Sequence, residues 1–143
     1  MSEAPLNDES PESDYSRQTV RGKGLRTGYT TGSCSAAASK AATIAFLTGT
    51  DVDRVTIHLP VGKDVEFQVH RCDTASDGQS VMCSVIKDGG DDPDVTHGAE
   101  ICCTVSLNLE TPGAVHIQGG PGVGTVTMPG TGIEVGRPAV TRV

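Results

Sequence analysis

Aromatic side chains are nearly missing from this sequence: its 143 residues hold no Trp, two Phe and two Tyr. A core here has to be assembled from Val, Ile, Leu, Ala and Cys. An excess of positive charge is missing too. Eleven Lys and Arg stand against eighteen Asp and Glu, giving a net −7, which excludes the basic face that a nucleic-acid binder needs. No apolar run approaches the ~20 residues that span a bilayer. The N-terminal stretch has no apolar region of the kind that opens a secretory signal. These absences point to a cytoplasmic, reduced setting. Five cysteines are present, but no C-x-x-C and no His–Cys cluster, so no metal site is expected. The cysteines read as small buried hydrophobes.

What is present divides into a tail and one folded unit. Residues 1–22 are acidic, polar and turn-rich, and read as a disordered tail. Residues 23–143 read as a single α+β domain. The run "GYTTGSCSAAASKAA" predicts a helix with Thr30 or Thr31 as N-cap, a body from Gly32 to Thr48, and Gly49 as its stop. Cys34, Ala37, Ala38, Ala41 and Ala45 share one smooth face. The period then switches from 3.6 to 2. "RVTIHLP" and "DVEFQVH" alternate and are joined by a Pro60–Gly62 turn, which predicts an antiparallel hairpin. Residues 71–78 read as a loop. "QSVMCSVIKD" is apolar on both faces and predicts a central strand. "AEICCTVSLNLE" predicts another strand, alternating through Val105, Leu107 and Leu109. "VHIQGG" and "GVGTVTMPGTG" read as a short strand and a glycine-rich close. The simplest way to bury these faces is a two-layer sandwich, a mainly antiparallel sheet with the long Ala-rich helix on one side.

Three constellations carry chemistry. The first is the helix mouth. Free N–H groups, a positive dipole end and the hydroxyls of Thr30, Thr31 and Ser33, brought close by Gly32, suit a carboxylate or phosphate, and Arg26 adds charge. Ordinary capping is the alternative. The second is "KDGGDDPDVTHG", where Asp91, Asp92, Asp94 and His97 crowd onto one loop. A carboxylate and an imidazole there suit acid–base work, and a solvated acidic turn is the plain alternative. The third is "GGPGVGTVTMPGTG", where Gly120, Gly122 and Gly124 could let the backbone approach a flat ligand. No helix follows, so it is not a dinucleotide fingerprint; hairpin turns and bulges are the alternative. His58, His70 and His116 alternate outward from strands and read as surface residues.

In this order, "LRTGYTTGSCSAAASKAA", "VIKDGGDDPDVTHGAEI" and "GGPGVGTVTMPGTGIEVGRPAV" resemble the N-terminal part of the CbiD family, the cobalt-precorrin-5B C(1)-methyltransferases. The resemblance covers about residues 24–140. It implies methyl transfer from S-adenosylmethionine to carbon 1 of a cobalt-containing corrin precursor, giving cobalt-precorrin-6A on the anaerobic route to cobalamin. Cobalt enters only as part of the substrate. Family members continue into a second, Rossmann-like region, so activity within this stretch alone stays open. On this reading Arg26, Thr30, Thr31, Gly32, Ser33 and Lys87 receive an acidic arm of the corrinoid. Asp91, Asp92 and His97 are the catalytic candidates. Asp94, Gly120, Gly122 and Gly124 are placed toward the cofactor, where an acid meets a cationic sulfonium. Two rivals stay open: a corrinoid-binding module without catalysis, and a small-molecule kinase of the galactokinase superfamily, whose Gly-Ser-Ser-Ala-Ala loop "TTGSCSAAA" echoes. An exposed sheet edge would admit a homodimer.

Overall fold

The structure, a computed structural model, describes residues 25–140. The expected tail, residues 1–22, lies outside the described residues. Among the described residues the architecture is α+β, with one helix and two antiparallel sheets.

The helix α1, Thr31–Thr48, starts and stops for local reasons. Thr30 stands in extended backbone and its side chain accepts from the Ser33 N–H. Gly49 takes the left-handed conformation at φ 68° and donates its N–H to Ala45 O at 2.8 Å, a conformation that favours glycine. Between them Cys34, Ala37, Ala38, Ala41, Ala42 and Ala45 are all buried. With side chains this short, the strands approach the helix backbone closely, so close packing stands in for large aromatic area. Lys40 ties the exposed side down by donating to Thr56 O at 2.7 Å.

Strands β1 (Arg54–Leu59) and β2 (Lys63–Gln68) form the expected hairpin, pairing Val55 with Phe67 and Ile57 with Val65. Strands β3 (Arg71–Thr74), β4 (Ser80–Ile86) and β5 (Glu100–Ser106) form a second sheet in the order β3-β4-β5. The two-faced strand is β4, and it is central. Val81, Cys83 and Val85 are sealed in the core shared with the helix. Ser84 is buried as well and donates to Glu100 Oε1 at 2.7 Å. The link from β2 to β3 is held at both sides: Val69 N–H bonds to Asp53 O beside β1, and His70 N–H to Ser84 O on β4. Among the described residues no helix is long and apolar enough to cross a membrane.

Four expectations are corrected. The sheet is two sheets rather than one. Residues 71–74, read as loop, form β3; the strand is four residues long, two of them charged, too short to show a period. The strand expected to run through Leu107 and Leu109 ends at Ser106, and both leucines are exposed. The stop is local: the Glu110 N–H bonds back to the Asn108 side chain at 2.9 Å, an Asx turn that competes with the ladder. Residues 115–120 form no strand either, and Val115 and Ile117 are exposed. In the glycine-rich close a lone bridge, Thr125 with Pro138, is the only ladder contact described, and Val126 is its buried residue.

Candidate functional site

Two segments far apart in the chain interlock at the mouth of α1. Thr27 and Gly90 form an antiparallel bridge. The Tyr29 N–H donates to Asp88 O at 2.7 Å, and the Asp91 N–H to Arg26 O at 3.0 Å. In return the Arg26 N–H donates to Asp91 Oδ2 at 2.6 Å. The Arg26 guanidinium forks onto Asp88, with Nη2 on Oδ1 at 2.9 Å and Nη1 on Oδ2. The fit is backbone on backbone. A Cβ at Gly28 would stand 1.9 Å from the carbonyl carbon of Gly89 and 2.3 Å from the Gly90 nitrogen. A Cβ at Gly90, whose φ is 66°, would stand 2.4 Å from both Arg26 O and the Gly28 nitrogen.

The acidic loop is closed on itself behind this contact. Lys87 donates its N–H to Ala99 O and its carbonyl accepts from Gly98, which returns the chain to β5. Its side chain is 2% exposed. The ammonium is held by Asp94 and by Thr96 Oγ1, the latter at 2.7 Å. Asp94 Oδ1 also accepts the Thr96 N–H and hydroxyl at 2.8 and 2.6 Å. Lys87 was expected to reach a corrinoid arm; the structure turns its ammonium inward, onto Asp94 and Thr96. Asp94, expected to face the cofactor, spends one oxygen on Lys87 and the other on Thr96.

His97 and Asp88 meet at the rim. His97 Nδ1 accepts the Gly89 N–H at 3.0 Å and lies 3.8 Å from Asp88 Oδ1. A neutral His97 bonded this way carries its proton on Nε2, and the side chain is half exposed. The ring is therefore oriented by backbone and keeps one nitrogen for outside chemistry. Asp91 and Asp92 lie on the exposed side of the loop.

At the helix start, Thr30 Oγ1 accepts the Ser33 N–H at 3.1 Å and lies 3.0 Å from Ser33 Oγ. Those two hydroxyls serve the cap. Among the described residues no protein acceptor meets the N–H groups of Thr31 and Gly32, which are exposed. Next to the mouth is a cavity of about 500 Å³ lined by Tyr29, Glu66, Phe67, Gln68, Val69, His70, Ile86 and Asp88. The rings of Tyr29 and Phe67 are tilted against each other with centroids 4.8 Å apart. Sequence reasoning missed this cavity. Its walls come from β2, the β2–β3 link, the end of β4 and the helix mouth, segments that are far apart in the chain.

Gly120, Gly122 and Gly124 are not brought to the loop. They lie in the exposed close, where Gly120 O accepts from Val123 and Gly124 O accepts from Ala139; among the described residues no hydrogen bond joins them to residues 87–98. No three His, Cys, Asp or Glu side chains among the described residues are grouped to hold a metal ion.

The charges predict acid sensitivity. The Arg26 guanidinium, helped by the Gly90 N–H, holds the Asp88 carboxyl down at about 2. Lys87, then Thr96, hold Asp94 well below the ordinary carboxylate range. Depressed carboxylates stabilise the fold above their unfolded values near 4, and that contribution is lost as pH falls through the folded values. Thermal melts should therefore be flat from pH 7 to 5 and drop steeply below pH 4. Asp88→Asn should flatten the acid limb; an unchanged limb would show that the loop carboxylates do not set it.

A family model described as CbiD matches residues 18–143. A protein of Salinispora tropica named cobalt-precorrin-5B C(1)-methyltransferase is 54% identical over 121 residues, covering 85% of this chain and 31% of that relative. A Geobacillus protein of the same name is 52% identical over 118 residues, 82% of this chain and 31% of the relative. One from Polaromonas naphthalenivorans is 50% identical over 121 residues, 85% of this chain and 33% of the relative. The chain thus spans about a third of the length of these relatives. No solved structure matches.

Proposed function

Because this chain belongs to the CbiD family, we propose that it serves the methylation of carbon 1 of cobalt-precorrin-5B in cobalamin biosynthesis, in the cytoplasm, with S-adenosylmethionine as donor. The observation that carries this reading is the 54% identity over 121 residues to a relative of that name. The body is read as two layers, helix over sheets, with the interlocked mouth and loop at one end.

The substrate is a flat ring hung with carboxylate arms. The N–H groups of Thr31 and Gly32, at the positive end of α1, suit one such arm. Arg26 holds its guanidinium at the same rim, 57% exposed, and can share it between Asp88 and an incoming carboxylate. The neighbouring cavity has a different character: the rings of Tyr29 and Phe67 line it, and Glu66 and Asp88 keep carboxylates there, each shared with an arginine. That chemistry fits a cationic sulfonium better than another anion. When bound, S-adenosylmethionine supplies an electrophilic methyl group. The chain's part is to hold ring carbon and donor in line and to exclude water, which can supply several kcal/mol of the barrier. His97, oriented through Nδ1, can manage a proton at Nε2.

The test is a calorimetric titration of this chain, and of the Salinispora relative, with S-adenosylmethionine and a cobalt corrinoid bearing free carboxylates. Binding of both is expected. Thr31→Val, which keeps the backbone N–H and removes the hydroxyl, should weaken the corrinoid by roughly 0.5–2 kcal/mol. Corrinoid binding without S-adenosylmethionine binding would favour a corrinoid-binding module in this stretch. Binding of neither would overturn the reading.

A further inference from the structure

The functional reading leaves the cysteines unused, and four of the five lie on one sheet. The register places Cys72 opposite Cys83 and Cys83 opposite Cys103, a row of three across β3, β4 and β5. Residues directly opposite in an antiparallel sheet point to the same face, and Cys83 on that face is fully buried under α1. The three are not equivalent. Cys83 points its S–H at Cys72, with the sulfurs 2.9 Å apart. Cys103 instead points to Ser35 O on the helix, at 3.4 Å. Cys102 faces the other side, opposite Ser84, and is exposed. One pair is thus poised and the remaining thiols are turned elsewhere.

We infer that Cys72 and Cys83 form a dithiol modification site, closed to a cross-strand disulfide by exchange with a small-molecule disulfide. Paired positions on neighbouring antiparallel strands have Cα atoms ~4.5–5.5 Å apart, inside the span that a disulfide bridges. Accessibility sets the order of events. Cys72, on the edge strand, is half-buried, while Cys83 is sealed. The Cys72 thiolate, its proton released to solvent, attacks one sulfur of the small disulfide and expels the first thiolate. Cys83 then loses its proton and attacks the Cys72 sulfur of the mixed disulfide, expelling the second. Two protein thiols are oxidised, one small disulfide is reduced, and the two released protons end on the two departing thiols. The second step is the slow one, because burial, with Cys72 alongside, pushes the Cys83 thiol up to about 12. The site therefore stays reduced through brief exposure and closes under sustained oxidation. Closure would pin β3 to β4 just beyond Val69 and His70, which wall the cavity.

The sequence supplies a clean readout. No Lys or Arg lies between Arg71 and Lys87, so trypsin releases residues 72–87 as one fragment holding both thiols. In the native chain incubated with oxidised glutathione, the thiols of both Cys72 and Cys83 should be lost. Fragment 72–87 should then lose two hydrogens in mass without acquiring a partner peptide. Phenylarsine oxide, which bridges paired thiols, should bind the reduced chain one to one and protect it from this oxidation. Cys72→Ser, at the half-buried edge position, should abolish both effects; Cys102→Ser should leave both intact. Fragment 72–87 linked to the fragment carrying Cys102 and Cys103, or unchanged in mass after all reactive thiols are spent, would overturn the assignment.

Discussion

Gly28→Ala should unfasten the mouth of α1 from the acidic loop. The added methyl would overlap the Gly89 carbonyl carbon at 1.9 Å, the Gly89 oxygen at 2.2 Å and the Gly90 nitrogen at 2.3 Å. All three are backbone atoms, so no side-chain rotation relieves the clash. Separating the segments breaks the Tyr29–Asp88 and Asp91–Arg26 backbone bonds and the Arg26–Asp88 fork together. Overpacking against main chain together with the loss of these bonds predicts a cost of about 3 kcal/mol or more. Gly90→Ala should behave alike, because its φ of 66° adds backbone strain to an equally tight contact. Gly32→Ala is the control: its nearest neighbour is Thr30 Oγ1 at 3.7 Å, and its backbone is helical. Alanine should be tolerated or slightly stabilising there. Urea melts rank the three variants, and amide exchange at Tyr29 and Asp91 locates the damage. If Gly28→Ala melts like the parent with both amides still protected, the interlock does not hold the site together.

That interlock also marks where sequence reading runs out. The helix was legible because its signals are local: a hydroxyl cap, alanines at helical spacing and a terminal glycine. The central strand was legible because β4 is apolar on both sides. The joining of helix mouth and loop was not, since Arg26 and Asp88 are 62 positions apart and the contact is made by backbone. Gly28 and the Gly89–Gly90 pair were the trace it left, readable as flexible turn residues until their shared contact is seen. The setting of Lys87 was hidden for a different reason. Nothing next to it in sequence marks it as buried, and its burial follows only from a loop that folds back over it. β3 escaped because four residues alternating around a single half-buried cysteine carry too little pattern. Leu107 and Leu109 kept a strand-like alternation beyond the point where the Asn108 turn ends the ladder.

The buried lysine gives the second large effect, and its sign depends on which partner is removed. Asp94→Ala leaves the Lys87 ammonium, 2% exposed, facing Thr96 Oγ1 with no countercharge. An unpaired buried charge is among the most destabilising changes a fold can suffer, and a fall in Tm of roughly 10 °C or more is expected. Lys87→Met should cost much less. It keeps a long apolar stem in the buried site, and Asp94 retains the Thr96 N–H and hydroxyl at 2.8 and 2.6 Å. The double variant, Asp94→Ala with Lys87→Met, should recover much of what Asp94→Ala alone loses, because the charge that needed a partner has gone. Simple addition of the two single effects would mean that Lys87 reaches water when its partner is lost. The same series separates loop order from chemistry. If Lys87 only organises the loop, Lys87→Met should leave corrinoid affinity close to that of the parent in the chain that stays folded. A large loss of affinity in that folded variant would return Lys87 to the binding surface.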